Sequence, residues 1–175
     1  MQQHTSRYKP TIAAQFCTLA NMITHGYELC PSCMFFFRDG YWWFDPIMND
    51  RARYYDLCHE LVHQLKPEAY AIISGSEPID AVTEQGAAGK LIAAVSHANG
   101  ATMTFVRSYT KSSKGVVQLT GKMQEFPAIF RSSPTSRMFS DPPPALVPDD
   151  RRESFFDAVR GERDRDLRRY TSLLA

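Results

Sequence analysis

The sequence contains no apolar run that approaches the roughly 18 residues needed for a membrane-spanning helix. Its N-terminal stretch, MQQHTSRYKP, is polar and lacks the apolar core of a secretory signal. We therefore expect no membrane partner and a cytoplasmic location.

An excess of charge of one sign is missing as well. The 20 Lys and Arg residues and the 19 Asp and Glu residues leave a net charge of +1. Proteins that bind nucleic acid usually carry a marked basic excess, so a nucleic-acid partner is not expected. One basic edge near a predicted hairpin tip is interpreted as solvated charge rather than as a phosphate contact; it comprises Arg107, Lys111, Lys114 and Lys122.

Cysteine is scarce, and the 4 cysteines are unevenly spread, which excludes a disulfide scaffold. A reducing compartment with free or metal-bound thiols is the simplest interpretation. Cys17 stands beside Phe16 in an apolar periodic segment, and we expect it to be a small core residue.

The N-terminal part of the chain predicts a helix followed by a hairpin. Residues 11–25 carry apolar side chains at helical spacing, with Gly26 as a stop. Asp39-Gly40 separates two aromatic runs and predicts a β-hairpin. The aromatic density fits either a core sheet buried on both faces or an exposed binding face, and we favour the core.

The middle of the chain predicts a second helix and a set of strands. Asn49 or Asp50 can cap a helix that ends near Lys66, before Pro67. Apolar runs then predict four strands, at residues 69–74, 91–96, 102–109 and 116–120. The expected fold class is α+β, with two helices packed on one face of a mostly antiparallel sheet.

The C-terminal part has a different composition. Proline is concentrated in residues 126–148, which we interpret as an extended arm after a domain at 1–125. Residues 149–175 predict a polar amphipathic helix, weakened at Gly161. Its apolar side must be buried on the domain or on a second copy, and comprises Phe156, Val159, Leu167, Tyr170 and Leu174.

One string spells a catalytic motif. His59-Glu60-Leu61-Val62-His63 matches the HExxH of zinc peptidases, in which two histidines one helical turn apart bind zinc and the glutamate is the general base. The two histidines and Glu60 are expected to lie off the apolar stripe of the helix, facing solvent or a cleft.

The surroundings of this motif favour an ordinary helix. The extended pattern of one peptidase group requires Gly and His where Lys66 and Ala69 stand. Glu77 or Glu84 could supply a more distant ligand, but a strand rather than a second helix follows the motif.

A second metal hypothesis uses Cys30 and Cys33. A CxxC pair, a hairpin and then His59 and His63 on a helix are the residue types of a structural Cys2His2 zinc site. The long separation between the two pairs makes this site less favoured than the HExxH site. A redox role for the CxxC pair is disfavoured because it precedes a strand.

The hairpin at residues 31–40, PSCMFFFRDG, resembles that of a diffuse group of uncharacterised bacterial and phage proteins. In that group a helix follows, then a strand ending in Ser-Glu, as in Ser76-Glu77, and then antiparallel strands. The resemblance covers residues 10–122. It implies a compact α+β domain and no activity.

These observations favour a protein without its own chemistry that acts through protein contacts. The partner is another protein or a second copy, and self-association would use the arm and the C-terminal helix. The alternative is a zinc hydrolase that uses His59, Glu60 and His63.

Overall fold

A computed structural model of the protein describes residues 7–27, 31–44, 50–76, 87–127 and 134–170. The helices in these ranges are α1 (Lys9–Thr24), α2 (Arg51–Leu65) and α3 (Asp149–Asp166), with a short 3₁₀ turn at Pro134–Ser136. The strands are β1 (Ser32–Phe36), β2 (Gly40–Phe44), β3 (Ala69–Ser76), β4 (Ala87–His97), β5 (Thr102–Lys111), β6 (Val117–Pro127) and β7 (Arg168–Arg169).

The strands form one antiparallel sheet in the order β6-β5-β4-β3-β1-β2-β7. The predicted α+β class is confirmed, and so are the aromatic hairpin and the meander of β4, β5 and β6. Tight turns join these strands, and Gly100 and Gly115 adopt φ of 86° and 82° there. Among the described helices, none is both long and apolar enough to cross a membrane.

The aromatic hairpin lies in the core. Every residue of β1 is buried, and its side chains alternate between the two faces of the sheet. Met34 and Phe36 belong to the apolar cluster beneath α1, whereas Cys33 and Phe35 belong to the cluster beneath α2. The interpretation as a core sheet packed on both faces is therefore confirmed.

The helices lie on opposite faces of the sheet, so the expectation that they share one face is wrong. The first cluster joins α1 to the sheet through residues such as Phe16 and Ile73. The second joins α2, part of the arm and α3, through Leu61, Val147 and Phe156. Because β1 and β3 are apolar on both faces, each face needs a covering layer.

In α1 the predicted apolar face is buried, with Ile12, Phe16, Leu19 and Ile23 in the core. The expectation for Cys17 is wrong, because Cys17 is exposed. A step of about 100° per residue carries Cys17 from Phe16 to the outer side of the helix.

The C-terminal segment differs from the prediction of one helix over residues 149–175. α3 ends at Asp166, and Arg168 and Arg169 then pair with Tyr41 and Gly40 of β2. Phe156 and Val159 are buried on the same chain, while the Tyr170 hydroxyl donates to the Phe37 carbonyl at 2.8 Å. Leu174 lies outside the described residues. The pairing of β7 with the edge of β2 has no signal in the helical pattern.

The close approach of β7 to β2 predicts opposite effects for two Gly→Ala variants. A Cβ at Gly40 would overlap the backbone of Arg168, whereas one at Gly161 in α3 would meet nothing within 4 Å. We expect Gly40→Ala to lower the free energy of unfolding by about 1 to 3 kcal/mol.

Gly161→Ala is the matched control, and we expect it to raise that free energy by about 0.5 to 1 kcal/mol. Urea unfolding measures both variants. An unchanged stability in Gly40→Ala would contradict the described pairing of β7.

Candidate functional site

Helix α2 carries the sequence motif and is well defined at both ends. The Asp50 side chain accepts a hydrogen bond from Arg53 N at 3.2 Å, which is the predicted cap. Lys66 ends the helix in the left-handed conformation, at φ 48°. The predicted stripe packs on the sheet and comprises Tyr54, Leu57, Cys58, Leu61 and Leu65.

The opposite side of α2 is covered, so the expectation that the motif faces solvent or a cleft is wrong. The described part of the arm, residues 134–148, lies along this side of α2. Glu60 is completely buried, and His59 and His63 are half-buried. α2 is therefore enclosed between the sheet and the C-terminal segment.

The Glu60 carboxylate holds the arm. Its Oε1 accepts hydrogen bonds from the backbone N–H groups of Leu146 and Val147, the latter at 3.1 Å. Arg152 Nη2 lies 2.9 Å from Oε2, oriented as an ion pair rather than as an aligned hydrogen bond. A buried carboxylate needs such partners, because an uncompensated charge in the interior is strongly destabilising.

The two histidines bind the same part of the arm. His59 Nε2 lies 2.9 Å from the Asp141 carbonyl oxygen, and His63 Nε2 lies 3.0 Å from it and 2.8 Å from the Met138 carbonyl oxygen. A carbonyl oxygen only accepts, so both Nε2 atoms must carry the proton. The motif thus satisfies backbone groups of the arm on both sides of the three consecutive prolines at 142–144.

A third anchor comes from β3. The Tyr70 hydroxyl donates to the Thr135 carbonyl at 2.6 Å and accepts from Met138 N at 3.2 Å. Burial raises the pKa of Tyr70 to about 12, so the hydroxyl keeps its proton at neutral pH. The Phe139 ring packs 5.2 Å from the Tyr70 ring.

These contacts differ from those of a zinc peptidase. A catalytic base must be free to take a proton from metal-bound water, whereas Glu60 is engaged by two backbone donors and Arg152. A histidine ligand needs a lone pair on the coordinating nitrogen, whereas both Nε2 atoms donate to the arm. The arrangement fits a clamp on the arm and does not fit the motif's catalytic geometry.

Of the two cysteines in the Cys2His2 hypothesis, only Cys33 lies in the described part of the chain. Cys33 is fully buried beneath α2, and burial and the neighbouring Cys58 raise the pKa of its thiol well above the ordinary value. The Tyr54 hydroxyl accepts from Cys33 N at 2.6 Å. Cys30 lies outside the described residues, as do Glu77 and Glu84.

No three His, Cys, Asp or Glu side chains come together as a metal site within the described ranges. Cys33 lies on the sheet side of α2, whereas His59 and His63 face the arm. The structure therefore does not bring Cys33 and the two histidines together.

An open cleft lies where the arm joins α3. It has a volume of about 530 Å³ and lies between the start of α2, the end of the arm and the first turns of α3. The apolar part of its lining comprises Leu57, Leu146, Val147, Pro148 and Phe155. Largely apolar clefts of this size are the usual sites of ligand or side-chain binding.

The polar residues at the cleft are mainly cationic. Arg53 is exposed and forms no ion pair with any described residue. Arg151 is also exposed, and its one acidic neighbour, Asp150, lies 4.0 Å away. The Asp50 carboxylate is used as the cap of α2. The rim therefore offers two guanidinium groups to a bound acidic group.

Two anchors of the arm escaped the sequence interpretation. Tyr70 was interpreted as an apolar core residue, and Arg152 as one charge among many in a polar helix. No local pattern indicates that α2 is covered on a second side, because a glutamate about 120° from the apolar stripe is also typical of a solvent-exposed helix face.

Comparisons of the chain with protein-family models, curated proteins and solved structures found no match.

The Glu60 clamp predicts a large effect of one substitution. Glu60→Ala leaves the N–H group of Val147 and the charge of Arg152 without the carboxylate, and leaves the Leu146 N–H group only its 3.1 Å bond to the Pro144 carbonyl. We expect the free energy of unfolding to fall by about 3 kcal/mol, measured by urea denaturation.

Glu153→Ala is the matched control, since Glu153 is exposed on α3. We expect it to change stability by less than about 0.5 kcal/mol. Equal effects of the two substitutions would show that Glu60 does not hold the arm.

Proposed function

We propose that this protein is a binding protein without chemistry of its own, and that it contacts a protein partner through the cleft between α2, the arm and α3. The observation that carries the proposal is the apolar cleft with Arg53 and Arg151 at its rim. The partner segment would insert an apolar side chain into the cleft and place an acidic group near the two arginines.

The chemistry of the cleft supports a protein ligand. Apolar walls supply affinity through burial, and arginine at a rim favours carboxylates through bidentate hydrogen bonds. The cleft is built by three segments that Glu60 and Arg152 fasten together, so its shape is fixed before binding. Such preorganisation reduces the entropy lost on association.

Two kinds of partner fit this cleft, another protein of the cytoplasm or a second copy of the chain. In both cases the arm stays on its own α2, and the partner occupies the cleft. The resemblance to the group of uncharacterised bacterial and phage proteins agrees with a role without catalysis.

A defined probe tests the chemistry of the cleft. The dye 8-anilino-1-naphthalenesulfonate has apolar rings and one sulfonate, which match the walls and the rim. We expect the folded protein to enhance its fluorescence, and the double variant Arg53→Glu/Arg151→Glu to weaken dye binding at least tenfold.

The matched control is Arg38→Glu/Lys114→Glu, which makes the same change of charge at exposed sites outside the cleft. It should leave dye binding unchanged. Affinity capture with the same variants then tests the partner, and a partner retained by Arg53→Glu/Arg151→Glu would overturn the proposal. Light scattering identifies the case in which the partner is a second copy.

The zinc hydrolase is the alternative from the sequence, and the contacts of Glu60, His59 and His63 do not support it. Metal analysis of protein purified without added zinc separates the two accounts. We expect the metal content to be the same in the wild type and in His59→Ala/His63→Ala. Stoichiometric zinc that disappears in this variant would restore the hydrolase, and zinc lost only in Cys30→Ser/Cys33→Ser would assign it to the cysteines.

A further inference from the structure

The sheet face beneath α1 is opposite the face that carries the cleft. On it, two buried donor atoms have no hydrogen-bond acceptor among the described residues. Arg107 Nε and Gln15 Nε2 are inaccessible to solvent, and neither has a hydrogen-bond partner among the described residues. Gln15 is 5% exposed. The interpretation of Arg107 as a solvated hairpin charge is therefore wrong at its Nε atom.

Two contacts fix the position of α1 over the strands. Lys9, at the start of α1, pairs with Glu125, which lies opposite Phe105 in the register of β5 and β6. Thr24, at the end of α1, accepts from Val117 N at 2.9 Å, and Val117 lies opposite Lys111. α1 thus runs over β6 and the adjacent β5, from the level of Phe105 to that of Lys111.

This position brings Gln15 to the level of Arg107 along the strands. Gln15 is six residues beyond Lys9 in α1, or about 9 Å at 1.5 Å per residue. Lys9 is at the level of Phe105, and the same length along β5 from Phe105, at about 3.3 Å per residue, reaches the level of Arg107. Arg107 also shares the α1 side of the sheet with Phe105 and Tyr109, both of which pack in the cluster beneath α1.

The neighbouring strand has a bulge at the same level. The register of β5 and β6 shifts between Val106 and Ser108, so that residues 121–123 of β6 lie against Arg107 alone. Gly121 adopts a φ of 64° in this bulge. A bulge leaves backbone N–H groups outside the regular ladder, and successive N–H groups around a left-handed residue favour anions.

The charge at this level is positive. Arg107 has no ion pair with any described residue, and Lys122 is an exposed cation within the bulge. Glu125 is the nearby acid on β6, and Lys9 already pairs with it. Unpartnered buried donors are rare in folded proteins and call for an acceptor.

We propose that Arg107, Gln15 and the β6 bulge form a binding site for a small oxyanion, a phosphate or a carboxylate group. The guanidinium supplies the charge, the Gln15 amide supplies a neutral donor, and the bulge supplies backbone N–H groups. This site is independent of the cleft and does not rest on the proposed function.

Thermal unfolding of the full chain tests the site, with sodium phosphate or sodium acetate added at constant ionic strength against sodium chloride. We expect a saturable rise of the melting temperature in the wild type with at least one of the two oxyanions. The phosphate and acetate arms distinguish the two ligand classes. Arg107→Gln should weaken the apparent affinity at least tenfold, and Arg107→Lys should weaken it less.

Two further variants keep the test decisive. Lys114→Gln makes the same change of charge at an exposed hairpin position and should leave the response intact. Gln15→Met keeps the shape of the side chain, removes the amide and should weaken the oxyanion response without preventing folding. No saturable rise with either anion, or an equal rise in Arg107→Gln and Gln15→Met, would mean adventitious ion binding only and would overturn the proposal.

Discussion

The buried carboxylate of Glu60 is the interaction on which the C-terminal third of the molecule depends. It joins α2 to the arm through two backbone N–H groups and to α3 through Arg152. Both elements of the C-terminal segment are thereby fastened to the same turn of α2. Without this carboxylate, the buried Val147 N–H would be unsatisfied, and the Leu146 N–H would keep only its bond to the Pro144 carbonyl.

The sheet explains why such a fastening is needed. β1 and β3 bury both faces, so the face opposite α1 requires a complete covering layer. α2 alone covers part of it, and Met138, Val147, Phe156 and Val159 complete the apolar cluster. The cleft arises where these segments meet, which links the packing of the core to the surface that we propose as a binding site.

Local patterns in the sequence predicted the elements well. Helical spacing located α1 and α2, Asp50 located the start of α2, and the Asp39-Gly40 turn located the hairpin, because each signal acts within one element. The arm could not be placed in this way, since proline content indicates an extended backbone and does not say which surface it contacts. The end of α3 was missed because β7 is set by pairing with Gly40 and Tyr41, far away in the chain.

The candidate site could likewise be predicted only where its signals are local. The motif identified His59, Glu60 and His63 as unusual residues on one helix, and the structure places all three against the arm. Their role could not be read from spacing, because the same i and i+4 positions that bind a metal can also hold a backbone segment. Which of the two occurs depends on residues 138–147, about 80 positions later in the chain.

The most direct test of whether Glu60 holds the arm is amide hydrogen exchange at Leu146 and Val147, in the wild type and in Glu60→Ala. The account predicts protected amides in the wild type and nearly unprotected exchange in the variant, while the amides of β3 and β4 stay protected. Protection of Leu146 and Val147 that survives in Glu60→Ala would contradict the claim that Glu60 holds the arm.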